Sequence, residues 1–146
     1  MKPTRSENLK LVKGFYRALT SHDWSAARNV LASEIQWLEP VVPGLWFGGT
    51  HAGIDSVFRE VIEPAEKILE KPEMKMKKFF DVGDHVIVFG KYHGKTKSTS
   101  MKLNAPLCHV WTIHDSRAVR VECFHDLLEW DAALGLTTIQ AQKMAA

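Results

Sequence analysis

The apolar residues of this chain change their spacing near residue 70, and that change fixes the fold class. In the first part they recur every three or four positions. Leu9, Leu11, Val12, Phe15, Tyr16, Ala18 and Leu19 form such a stripe after a potential cap at Ser6, which predicts an amphipathic helix. His22-Asp23 breaks it, and Asp23 can cap a second helix over Trp24 to Ala32. A third helix starts at about Ile54, with Val57, Phe58, Val61, Ile62, Ala65, Ile68 and Leu69 on one stripe. Pro64 lies inside that stripe; it lacks an N–H and should kink or restart the helix. From Met74 the period is two. Strands are predicted over His85 to Tyr92, Leu107 to Ile113 and Val119 to Trp130, separated by a Val82-Gly83-Asp84 turn, a polar hairpin from Gly94 and a turn at His114 to Arg117. A short Ala-rich tail follows. One early strand, Ile35 to Glu39, ends at Pro40, and Pro40 to Gly53 reads as a loop with Leu45, Trp46 and Phe47 at its tip. Helices first and antiparallel strands later make an α+β fold. A twisted sheet wrapped on helices leaves a hollow at its mouth, where small molecules commonly bind.

Length and charge narrow the functions open to such a chain. Its 146 residues fit one domain, residues 1–146. A net charge of +2 argues against a nucleic-acid or anionic-membrane partner. No apolar run approaches a membrane span, and the polar Met1 to Lys10 lacks the core of a signal peptide, so a cytoplasmic protein is expected. Cys108 and Cys123 sit in apolar runs and read as reduced, buried thiols. Seven histidines occur without HxxxH or HExxH spacing, and neither a GxGxxG turn nor a P-loop is present. Neither a metal nor a cofactor is expected.

Candidate chemistry lies where an ionisable residue shares the parity of core residues. Glu39 alternates with Ile35 and Trp37, which puts it on the inward face. Burial would raise its pKa and make it a base near neutrality; the alternative is a carboxylate past the strand end, in solvent. His109 shares parity with Trp111 and Ile113 and can donate to an oxyanion or shuttle a proton; the alternative is a satisfied core histidine. Asp126 is weaker. Strict alternation makes Val121, Cys123 and His125 the inward set, so Asp126 needs a bulge to turn inward. Tyr16, on the inner edge of the first helix, can reach a pocket with its phenol. Trp37, Trp46 and Trp111, with Phe15 and Phe58, are the candidate apolar walls, and His51 a rim residue in Gly48 to Gly53.

The order of elements, the Asp23-Trp24 start of the second helix, Trp37-Leu38-Glu39-Pro40, Gly48 to Gly53 and Phe124-His125-Asp126 together resemble the nuclear transport factor 2-like superfamily. The resemblance runs from about Leu9 to Leu134, and the nearest groups are SnoaL-like polyketide cyclases and ketosteroid isomerases. It implies a cone-shaped half-barrel of curved antiparallel sheet packed on about three N-terminal helices, dimeric through the outer sheet face. It implies that Glu39 takes the place of the isomerases' carboxylate base, that His109 stands where they carry an acidic donor, and that Tyr16 lies within one residue of their donor tyrosine. It also pairs His109 with Asp126 in the manner of the cyclases. The epoxide hydrolases of the same fold need an acidic residue on a middle strand, and none occurs between His85 and His114.

Three functions are compatible with these residues. The first is an isomerase or cyclase that removes a proton next to a carbonyl in an apolar pocket. The second is a non-catalytic binding protein for an apolar small molecule. The third is an interaction domain with a filled core. They differ in whether Glu39, His109 and Asp126 converge on one cavity.

Overall fold

A computed structural model of the chain describes residues 5–136. Helix α1 (Arg5–Thr20) and helix α2 (Trp24–Val30) come first. The side chain of Ser6, the expected cap, lies outside the described residues, as does the tail from residue 137. Asp23 caps α2 as expected, its carboxylate accepting from the Ala26 N–H. Strand β1 (Leu31–Glu39) is followed by a short β2 (Gly49–Ala52), which lies inside the segment predicted as loop.

The third helical segment has three parts: α3 (Ile54–Val57), a π turn (Phe58–Ile62) and α4 (Glu63–Ile68). Pro64 explains the π turn. It has no N–H for the Glu60 carbonyl, and its ring would press on that carbonyl. The backbone widens by one residue, and the Glu63 N–H bonds to the Phe58 carbonyl instead.

Strands β3 (Leu69–Val82), β4 (His85–Thr96), β5 (Lys102–His114) and β6 (Arg117–His125) form a meander. The final strand stops at His125, not at Trp130. Asp126 caps a helix, α5 (Leu127–Leu134), which buries Trp130 and Ala133 and ends at Gly135 with φ 69°. The amphipathic face of α5 is short, and its apolar residues continue the strand pattern, which hid the change.

The sheet order is β2-β1-β6-β5-β4-β3. The sheet is mixed: β1 pairs parallel with β6, and the other neighbours are antiparallel. That parallel pair decides where the chemistry sits. Trp37 stands opposite Val121 and Leu38 opposite Glu122, so the end of β1 lies beside the end of β6. His109 on β5 stands opposite Cys123 on β6. The main core, under α1 and α2, holds Phe15, Ile35, Trp37, Phe58, Val88 and Trp111, each at most 2% exposed. Gly90 is the most closely approached of the described glycines. A Cβ there would lie 2.3 Å from the Lys75 carbonyl oxygen and 2.6 Å from the Met76 Cα. Gly90→Ala is therefore expected to lower unfolding free energy by about 1–3 kcal/mol in urea titration.

Candidate active site

The inner face of the sheet and the third helical segment border a narrow hollow of about 60 Å³ that opens to solvent. Its floor carries Tyr16, Glu39, His109 and His125, and its walls include Trp24, Trp37, Trp46, Phe47 and Tyr92. Parity places three of the floor groups. Glu39 follows Ile35 and Trp37 on β1, His109 precedes Trp111 and Ile113 on β5, and His125 follows Val121 and Cys123 on β6.

Two hydrogen-bond chains meet there. In the first, the Trp111 indole N–H donates to the Tyr16 hydroxyl oxygen at 2.8 Å, and that hydroxyl lies 2.6 Å from His109 Nδ1. Burial, reinforced by the charge of His125, pulls the His109 pKa down to about 3, so the ring is neutral at physiological pH. Burial likewise pushes the Tyr16 phenol well above its ordinary range. The phenol keeps its proton and has no other acceptor among the described residues, so it donates to Nδ1. The single proton of the ring then sits on Nε2. No hydrogen bond from the described residues reaches Nε2, and His109 lines the hollow.

In the second chain, Glu39 accepts at both oxygens. Trp37 Nε1 donates to Oε1 at 2.7 Å, and His125 Nε2 lies 2.8 Å from Oε2. The Glu39 and His125 side chains are each 3% exposed. An indole can only donate, and Trp130 Nε1 stands 3.4 Å from His125 Nδ1. Nδ1 is thus the unprotonated nitrogen, and the ring N–H at Nε2 points at the carboxylate. Phe47 stacks on this ring with centroids 4.9 Å apart. The His109 and His125 rings are 6.3 Å apart, centroid to centroid.

The remaining sequence candidates divide. Trp37 and Trp46 line the hollow, and the Trp46 indole N–H donates to the Val61 carbonyl in the π turn at 2.9 Å. Trp111, Phe15 and Phe58 lie beneath, as core; Trp111 acts only through Tyr16. His51 is buried off the hollow, its two nitrogens held by Glu60 at 2.6 Å and the Phe47 carbonyl at 2.7 Å. It braces the wall and does not form a rim. Asp126 does not turn inward. It is exposed, and its carboxylate accepts from the Leu128 and Glu129 N–H groups. The β6 irregularity lies back at Ala118–Arg120 and the register runs regularly from Arg120 to His125; there the strand ends and the helix needs a cap. Asp126→Ala is accordingly expected to cost about 1 kcal/mol of stability by chemical denaturation and to leave the hollow intact.

Two site residues escaped selection. His125 belonged to the inward parity set, and that alternation was the signal for it. Tyr92 gave none beyond its strand position; burial raises its pKa, with the charge of Glu39 adding to the effect. Among the described residues no three or more of His, Cys, Asp and Glu cluster as a metal site.

Residues 12–121 match the model of the SnoaL-like domain. The chain belongs to the SnoaL-like family. Solved structures carry the same fold. A nuclear transport factor 2-like protein from Burkholderia thailandensis is 28% identical, with a TM-score of 0.79 over 86% of this chain and 95% of that one. TerC, co-crystallised with polyporic acid, is 22% identical, with a TM-score of 0.79 over 88% and 98%. A protein named as a candidate SnoaL-like polyketide cyclase from Jannaschia sp. CCS1 is 15% identical, with a TM-score of 0.78 over 93% and 96%. No curated protein matches the chain. In this SnoaL-like domain no described helix is long and apolar enough to cross a membrane.

Proposed function

We propose that this SnoaL-like domain is a cytoplasmic isomerase or cyclase that moves a proton next to a carbonyl of an apolar small molecule held in the hollow. One observation carries the reading: a neutral histidine donor and a carboxylate–histidine pair face the same greasy space from separate strands. Carbanion chemistry needs a base for the proton and a donor where the oxyanion develops. His109 Nε2–H supplies the donor, backed by the Tyr16 and Trp111 chain. The Glu39–His125 pair supplies the base. Among the described residues no lysine or arginine lines the hollow, which supports an uncharged substrate over a carboxylate or phosphate. Flat walls of Trp37, Trp46 and Phe47 suit a ring system.

The test is α-proton exchange of an apolar cyclic ketone, 1-tetralone, in D2O, followed by proton NMR. The wild-type protein should accelerate exchange above buffer, and His109→Phe should lower that acceleration about 100- to 1000-fold. Saturable binding of the ketone with no acceleration would instead support a binding protein.

The partner expected in solution is a second copy of the chain. Phe89, Cys108 and Phe124 stand in one register across β4, β5 and β6, with their parity outward. Phe89 is 44% and Phe124 54% exposed. Such an apolar row can face its own copy across a two-fold axis. Sedimentation should give a dimer for the wild type and a monomer for Phe124→Glu. A wild-type monomer at micromolar concentration would remove this partner.

A further inference from the structure

A break in the alternation of β3 gathers lysines on the outer face of the sheet. Met74, Met76 and Phe79 all pack against the main core. Strict alternation from Met76 would send residue 78 inward. Instead the register slips between Met76, opposite Gly90, and Lys78, opposite Phe89. Lys77 is the extra residue of a bulge, so Lys77 and Lys78 both turn outward. With Lys75 on β3 and Lys91 on β4 they line an open groove of about 500 Å³, a size that suits a small molecule. Gly90, His93, Asn104, Phe80 and Phe89 complete the lining. Among the described residues no Asp or Glu lines the groove.

The groove holds repulsion that an anion would relieve. Lys91 stands directly opposite Lys75, and like charges in that position weaken a sheet. Glu73 reaches Lys75 at 3.9 Å, a loose pair. His93 is held below its ordinary pKa, by burial first and then by the charge of Lys75, with Lys91 and Lys77 adding and Glu73 opposing. The lysine charges therefore converge on one place.

We propose that this groove is a second binding site, for a compact polyanion that carries an aromatic ring, the class of a nucleoside di- or triphosphate. The positive charge is local. The whole chain has a net charge of +2, so beyond these four lysines it carries no excess of positive charge. A nucleic acid or an anionic membrane needs an extended basic surface; clustered phosphates need only a groove, where each lysine acts as a point charge. The ring has its own place. Phe80 and Phe89, 50% and 44% exposed, meet edge to face at 6.0 Å, next to Lys78, and form an apolar platform for it. Three of the four lysines stand on β3, so the groove lies beside the row of Phe89, Cys108 and Phe124 and not over it.

Calorimetric titration with magnesium-free ATP, tripolyphosphate and adenosine tests the site. ATP should bind one molecule per chain, more tightly than tripolyphosphate, and adenosine should not bind. Lys75→Gln combined with Lys91→Gln should weaken ATP at least about 10-fold. Tm should not fall in that variant, because the substitutions remove a repulsion. Lys10→Gln combined with Arg117→Gln removes as much charge from exposed positions elsewhere and should change ATP affinity by less than about twofold. In proton NMR the His93 pKa should rise on saturation with ATP, as the phosphates offset the lysines. No ATP binding at millimolar concentration and low salt would overturn the proposal. Equal weakening by the two variant pairs would also overturn it, as attraction to general surface charge. Tripolyphosphate binding as tightly as ATP would remove the ring and with it the ligand class. A single-stranded oligonucleotide binding more tightly than ATP would replace the site by a nucleic-acid surface.

Discussion

His125→Ala is expected to destabilise the protein by about 3–5 kcal/mol, among the largest losses available to a single substitution here. The reason is what it leaves behind. Glu39 is 3% exposed at its side chain and sits at the end of β1 against Cys123, whose thiol pKa is pushed up by burial first and by the Glu39 charge second. With the imidazole gone, one carboxylate oxygen loses its donor inside an apolar site, and only the Trp37 N–H and the Cys123 thiol remain to hold the charge. A buried charge stripped of a partner costs more than the pair contributed when intact. Adding Glu39→Gln to His125→Ala removes the charge and should recover more than half of the loss. Heat and urea denaturation of both single variants and the double variant measure the coupling. A loss under 1 kcal/mol in His125→Ala would mean that the pair is wetter than its geometry indicates.

The second large effect is on the pH dependence of stability. His109 has its pKa drawn down to about 3 by burial, and secondarily by His125; an unfolded histidine titrates near 6.5. Between those values the unfolded chain binds a proton at this position and the folded chain does not. Unfolding therefore takes up a proton, and stability falls as pH drops. The contribution is fully present above pH ~6.5 and is lost as the pH approaches ~3. Its full extent is on the order of 5 kcal/mol at 1.36 kcal/mol per unit. The groups facing this ring, Tyr16, Trp37 and His125, with Cys123 opposite on β6, include no fixed cation or anion, and Glu39 lies behind His125. Urea unfolding of the wild type from pH 7 to pH 4 should show this loss. His109→Phe should flatten the slope by close to one proton. An unchanged slope in that variant would place the proton uptake elsewhere.

Much of this site could be read from alternation alone. Glu39 and His109 share parity with tryptophans, and both face inward. A strand has only two faces, so one clear core neighbour fixes the rest. The same rule pointed to Cys123 and His125. The family resemblance pointed one residue further, to Asp126, which proved to be a helix cap. Parity was the better guide because it follows from local geometry, whereas a motif shared by distant relatives can shift by a residue. The early helices and the strain at Pro64 were legible for the same local reasons. The parallel pairing of β1 with β6 was not. It joins segments more than 80 positions apart, and no local period encodes a partner. Yet it brings Glu39 to His125. Tyr92 reached the hollow by the same kind of long-range packing. Helix α5 was hidden because its apolar residues continue those of β6.

The tautomers of two histidines test the account most directly. Nitrogen-15 NMR of the folded protein at pH 6 distinguishes a protonated from an unprotonated ring nitrogen at each site. His109 should be neutral, with its proton on Nε2 and a bare Nδ1, and the His125 Nε2 should carry the proton that faces Glu39. A charged His109 at that pH, or an unprotonated Nε2 on His125, would contradict the arrangement on which the chemistry depends.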